Sequence, residues 1–145
     1  MNTTNTQNIE KMSLAQNTSR YILGLFLTTA GISHLTWSRI EFLAQVPPWI
    51  PVNADLVVLL SGVVEIALGL SLILLFKYRI QVGWIVAAFF VLVFPGNIAQ
   101  LVEHRNAFGL NTELARWLRL PFQPLLILVA LWSTGAWHSW RKNKN

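Results

Sequence analysis

The sequence predicts an all-α integral membrane protein, a four-helix transmembrane bundle with a short interfacial helix between the third and fourth spans. Two observations carry this. Four apolar runs each approach the ~20 residues that a helix needs to cross ~30 Å of hydrocarbon. The composition agrees: 54% of the 145 residues are apolar and 12% are charged, well under the ~25% charged of a soluble domain. So much apolar surface cannot hide in the core of so short a chain, and a bilayer accommodates it.

Residues 1–17 are rich in Asn and Thr and show no apolar periodicity, so they read as a disordered cytoplasmic tail. The transmembrane domain spans 18–140. Its first span, about 20–37, is the least apolar. It begins too late, and lacks the small-residue cleavage site, for a secretory signal, so it reads as a retained helix. The link 38–54 contains VPPWIP, whose prolines forbid a continuous helix. The second span is 55–76, and a tight KYR turn at 77–79 leads to the third, about 80–103, with Pro95–Gly96 as a kink site. In the link 104–119, Leu114, Trp117 and Leu118 form an apolar stripe beside arginines, as in a helix lying in the interface. The fourth span is 120–140, with Pro121 and Pro124 near its start, where proline is best tolerated. A basic tail, 141–145, follows. Trp37, Trp49, Trp132, Trp137 and Trp140 fall near the expected ends, as an aromatic belt requires.

The formal charge is +5. Its basic residues stand in pairs and singles beside apolar runs, which points to membrane topology and away from nucleic acid. Four spans put Lys11, Arg20, Lys77, Arg79, Arg141, Lys142 and Lys144 on one side. Arg39, Arg105, Arg116 and Arg119 fall on the other, with Glu41, Asp55, Glu103 and Glu113. The excess of Lys and Arg predicts that both termini are cytoplasmic. With no cysteine in the chain, disulfides, thiol redox chemistry and cysteine-ligated metals are excluded.

Ionisable groups inside a span are costly and therefore candidates for function. Glu65 lies ten residues into the second span from Asp55, ~15 Å along the helix and near the bilayer centre. Gly62 and Gly69 lie on its face, and Gly24 and Gly31 share a face with Arg20 on the first helix, with His34 at its edge. Such faces suit close helix packing. Asn97, Gln100 and His104 make one stripe on the third helix, and Gln123 enters from the fourth. The expectation is a polar cavity opening outward, floored by Glu65 and lined by His34, Asn97, Gln100 and Gln123, with Arg20 snorkelling from the opposite surface. The competing reading makes these side chains hydrogen-bonded glue between helices. His104 reads as a solvated residue at a helix end. No metal is expected, because the histidines lack the i, i+4 spacing of helical ligands. No phosphate loop, nucleophile elbow or paired catalytic carboxylate stands out.

The run Arg20, Gly24, Gly31, His34, followed by VPPWIP, SGVVEIALG and VFPGNIAQ, resembles the DoxX-like family of small bacterial membrane proteins across residues 20–140. RLPFQPLLILVALWSTGAW, 119–137, looks like one branch of it. The resemblance implies a four-helix bundle in the bacterial cytoplasmic membrane. Carried over by position, the matching residues are Arg20, His34, Pro47, Pro51, Gly62, Glu65, Gly69 and Asn97. Relatives are linked to thiosulfate:quinone oxidoreductase as a membrane subunit, to methylamine utilisation and to oxidative-stress complexes. The chain has no cysteine, haem-ligand pair or flavin motif, so electron chemistry would need a partner subunit or a bound quinone.

Three readings follow. The first is an accessory or binding subunit, as a monomer or an oligomer, whose partner in the bilayer is another membrane or redox protein or a lipophilic small molecule, with no catalytic residue of its own. The second is a quinone-interacting subunit of an oxidoreductase, with His34 and Glu65 addressing the quinone carbonyls. The third is a component of a small-solute transporter or channel.

Overall fold

The computed structural model describes residues 11–105 and 112–145, and among these the chain is helical with no strand. The expected tail's first ten residues, and 106–111 of the third link, lie outside the described residues.

Helix α1 runs Leu14–Leu35. It starts earlier than the tail reading allowed, because Ser13 and Gln16 form a capping box: Gln16 N donates to Ser13 Oγ at 3.1 Å and Ser13 N to Gln16 Oε1 at 3.0 Å. Two orphan amides are thereby satisfied, and residues 14–17 are the first turn of a helix instead of the end of a tail. A short helix α2, Arg39–Leu43, precedes the proline-rich segment. Helix α3, Ala54–Leu74, opens at Asn53, whose Oδ1 accepts from the amides of Asp55 and Leu56 at 2.9 and 3.4 Å. A single turn at Phe76–Tyr78 leads into α4, Arg79–Val102, which remains helical through Pro95. Helix α5, Glu113–Arg119, is capped by Thr112 Oγ1, to which Ala115 N donates at 3.2 Å.

The run expected as one span, 120–140, is divided into α6, Phe122–Ser133, and α7, Ala136–Lys142. Gly135 separates them at φ 76°. That left-handed conformation reverses the local path at little cost for glycine. Twelve residues of α6 reach only ~18 Å, so α6 alone is too short to cross a bilayer.

Three stretches are long and apolar enough to span a membrane: Ala54–Leu74, Phe76–Val102 and Glu113–Ser133. Four were expected. Helix α1 has sufficient length at 22 residues, ~33 Å, but Asn17, Ser19, Arg20, Thr28, Thr29, Ser33 and His34 lower its hydropathy.

Polarity is distributed inside out. Arg20 heads the largest fully buried side chains, and His34, Glu65, Asn97, Gln100, Arg116 and Gln123 are also buried. Leu25, Phe26, Leu60, Val63, Leu92 and Leu128 are exposed. Within the core, Leu23, Leu27, Leu68, Leu72, Val86 and Phe90 form one cluster.

Helices α1 and α3 make the most extensive contact in the molecule and run antiparallel. Their interface is a double glycine seam, Gly24 on Gly69 and Gly31 on Gly62. A Cβ on Gly24 would lie 2.8 Å from the Gly69 carbonyl oxygen, and one on Gly69 2.6 Å from that of Gly24. Glycine lets the two backbones touch, and the equal seven-residue spacing on both helices keeps the contacts in register. Helix α4 packs antiparallel against α6, where Gly83 sits beneath Thr134.

Candidate functional site

The glycine seam positions the first pair of candidate residues. At Gly62 the nearest side chain is His34, whose Cβ would be 2.7 Å from an added methyl. His34 is therefore set directly on the α3 backbone, one turn from Glu65. Its Nδ1 lies 3.1 Å from Glu65 Oε2, with both side chains buried. The two atoms are within hydrogen-bond distance but off axis, and neither has a well-directed hydrogen bond. Phe42 of α2 meets the imidazole edge-on, ring centroids 3.4 Å apart. The site thus comprises a carboxylate, an imidazole and an aromatic wall.

A second pair joins α4 to α6. Asn97 Nδ2 donates to Gln123 Oε1 at 3.2 Å, and Gln123 Nε2 donates to the Phe90 carbonyl at 2.8 Å, both bonds buried. Gln100 forms a third group with Gln45 and Arg119: Arg119 Nη1 donates to Gln100 Oε1 at 3.1 Å, and the Gln45 and Gln100 amides approach to 3.2 Å. Turning the Gln45 amide presents its oxygen to Arg119 Nη2 at 2.6 Å.

His34 lies fourteen positions after Arg20, ~21 Å along α1, so Arg20 belongs to the other end of the molecule. There it donates from Nη1 to the Leu72 carbonyl and from Nη2 to Asn17 Oδ1 at 2.8 Å. It also stacks 4.4 Å from the centroid of Tyr21. The guanidinium is thus the C-terminal cap of α3, satisfying a carbonyl in the last turn that no helical amide reaches. His104 is exposed and pairs with Glu113 at 3.1 Å. Among the described residues no three His, Cys, Asp or Glu side chains converge as metal ligands.

Several polar residues at this site were not singled out by sequence reasoning. Arg105 Nη1 donates to the carbonyls of Ala44 and Val46 at 3.2 and 3.1 Å, and Arg116 Nε donates to the Arg105 carbonyl at 3.1 Å. These bonds fasten the proline-rich link to the ends of α4 and α5, over the same region as His34 and Phe42. Gly96 lets the link approach, since a Cβ there would be 2.7 Å from the Gln45 carbonyl oxygen. Read as flanking charges, the arginines gave no hint of this. The one available signal was the density of prolines, which leave link carbonyls without helical partners. At the edge, Arg39 Nε donates to Asp55 Oδ1 at 2.7 Å, and that hydrogen bond holds the guanidinium above its ordinary pKa.

A family described as Domain of unknown function (DUF8561) matches residues 23–134. The chain belongs to the DUF8561 family. The DUF8561 match takes in the glycine seam from Gly24, the His34–Glu65 pair, Asn97, Gln100 and Gln123, while Arg20 and α7 fall outside it. No curated protein and no solved structure matches the chain.

Proposed function

We propose that this chain is a four-span integral membrane protein of the bacterial cytoplasmic membrane, serving as an accessory or binding subunit with the His34–Glu65 pair as its intramembrane polar site. The resemblance to DoxX-like proteins points the same way. The observation that carries the reading is the buried carboxylate–imidazole contact of 3.1 Å inside an apolar exterior. Water-soluble folds rarely bury such groups while exposing so many leucines, whereas spans commonly turn polar side chains inward.

The fourth span is α1. It lies antiparallel along α3, from the Arg20–Leu72 contact at one end to His34 on Gly62 at the other. A helix so seated shares the depth of its neighbour. Its low hydropathy comes from inward-facing Arg20, Ser33 and His34, while Tyr21, Ile22, Leu25 and Phe26 face outward. Both termini are cytoplasmic under the charge rule, and α5 continues into α6 as the span Glu113–Ser133, with Leu114, Trp117 and Leu118 outward.

A quinone-interacting role is the second reading. It is favoured by the misaligned pair, because Nδ1 and Oε2 together offer a donor and an acceptor to a carbonyl or hydroxyl. Native mass spectrometry of gently solubilised protein tests both readings. A partner or lipophilic molecule retained by wild type and lost in Glu65→Gln is the expected result, and a quinone of matching mass selects the second reading. Release of the protein from membranes by alkaline carbonate, or equal retention in wild type and Glu65→Gln, would refute the proposal.

A further inference from the structure

We infer that the end of the molecule where α1 begins and α7 ends carries a binding site for the phosphodiester headgroup of an anionic phospholipid, seated among His138, Arg141 and Lys142. The inference rests on the membrane reading above and concerns a different part of the chain from the His34–Glu65 site.

The antiparallel helices gather Lys11, Arg20, Lys77, Arg79, Arg141, Lys142 and Lys144 at this end. Among the described residues the acidic side chains lie elsewhere: Glu65 within α3, and Glu41, Asp55, Glu103 and Glu113 at the opposite end. The two ends therefore differ in net charge, although both carry arginines. The basic end is also aromatic. Arg20 stacks on Tyr21, Arg79 on Phe76 at 4.7 Å and Lys144 on Trp140 at 4.1 Å. Trp137 and Trp140 contact each other with centroids 5.6 Å apart and are part-exposed. Of these pairs the exposed Lys144 and Trp140 suit the headgroup layer, where ring and alkyl stem remain apolar and the charge reaches water, whereas Arg20 and Arg79 are buried.

Geometry concentrates this general attraction at one place. After the left-handed Gly135, α7 leaves the line of α6 and tucks Ala136 into contact with Ala87 and Leu131. The next turn of α7 is then presented outward. A recess of about 290 Å³ opens there, lined by His138, Arg141, Lys142 and Asn145. It offers cationic and amide donors together, the chemistry that a phosphodiester accepts. Each direct hydrogen bond from these side chains to the charged headgroup is worth at least about five-fold in affinity, and it persists in detergent, where a general surface attraction does not.

The test is lipid retention by the full chain in detergent, measured by native mass spectrometry with phosphatidylglycerol or phosphatidylcholine. Phosphatidylglycerol should be retained preferentially, and Arg141→Ala/Lys142→Ala should weaken it by at least about 25-fold through the loss of two direct contacts. Lys11→Ala/Lys77→Ala removes equal charge from the same end outside the recess and should change retention less than two-fold. Circular dichroism would establish that both variants remain helical. Equal retention of the two lipids, or equal loss in the two double variants, would overturn the site. So would displacement by inorganic phosphate alone, which would identify a free-anion site. Release by alkaline carbonate refutes the membrane reading itself, whereas an embedded protein with no lipid preference refutes only this inference.

Discussion

Gly31→Ala should both loosen the α1–α3 seam and separate the His34–Glu65 pair. A Cβ on Gly31 would lie 2.5 Å from the Gly62 carbonyl oxygen, 2.7 Å from Ile66 Cγ1 and 2.9 Å from Ile66 N. Ordinary contact begins at 3.4 Å, so the helices must part by the difference, about 0.9 Å. Two of the three obstacles are backbone atoms, which cannot swing aside. Overpacking of this kind costs about 1–3 kcal/mol. A gap of that size also forfeits a quarter to a half of the dispersion energy of the contacts it opens. His34 is one turn along α1, and the same movement would stretch its 3.1 Å approach to Glu65 to about 4 Å, outside hydrogen-bond range. The combined destabilisation should be about 2–4 kcal/mol. It can be read by reversible unfolding in mixed micelles with increasing sodium dodecyl sulfate, monitored by circular dichroism. Leu25→Ala on the exposed face is the control, because lipid replaces the lost contacts with equally apolar ones. A second measurement is the His34–Glu65 coupling energy from a double-mutant cycle, which should fall toward zero in the Gly31→Ala background. Stability within about 0.5 kcal/mol of wild type, with the coupling intact, would refute the seam as the device that seats the pair.

Other expectations follow from the same contacts. Arg20→Lys should destabilise α3 by about 1.5–3 kcal/mol in the same assay, because an ammonium cannot cap Leu72, bond Asn17 and stack on Tyr21 together; an unchanged midpoint counts against the cap. Asn97→Leu should cost about 1–3 kcal/mol by orphaning Gln123, while Asn97→Leu/Gln123→Leu should recover most of the loss, and additive losses would contradict the pairing. Gly135→Ala meets no atom within 4 Å but must adopt φ 76°, so a cost of about 1 kcal/mol is expected from backbone strain alone. A larger loss of helicity would mean that packing at the α6–α7 junction also depends on this residue.

The glycine faces were legible because a seven-residue spacing returns side chains to nearly the same helix face. That spacing put Gly24 with Gly31 and Gly62 with Gly69, and the structure brings the two faces together. Glu65 was legible as a costly group within an apolar run. His34 was grouped with it as lining of one cavity, but their direct 3.1 Å contact depends on how closely the seam brings the two helices together. Asn97, Gln100 and Gln123 were placed as lining of one outward cavity with Glu65. Their contacts instead tie Asn97 to Gln123 and Gln100 to Gln45 and Arg119. Spacing assigns a residue to a face, but hydrogen-bond partners depend on which faces meet.

Composition and apolar run length determine by themselves that this chain is helical and that its surface suits a bilayer, because unsatisfied backbone groups are intolerable in hydrocarbon. Local chemistry also determines several boundaries, such as the start of α3 at Asn53. Tertiary structure decides the rest. Hydropathy averages over all faces of a helix, so it undervalues α1, whose polar side chains turn inward, and joins α6 to α7 across Gly135. It likewise treats Arg20 and Arg105 as flanking charges, although one caps α3 and the other fastens the proline-rich link. Where a polar group points and which orphan carbonyl it satisfies are properties of packed helices, and a one-dimensional average does not contain them.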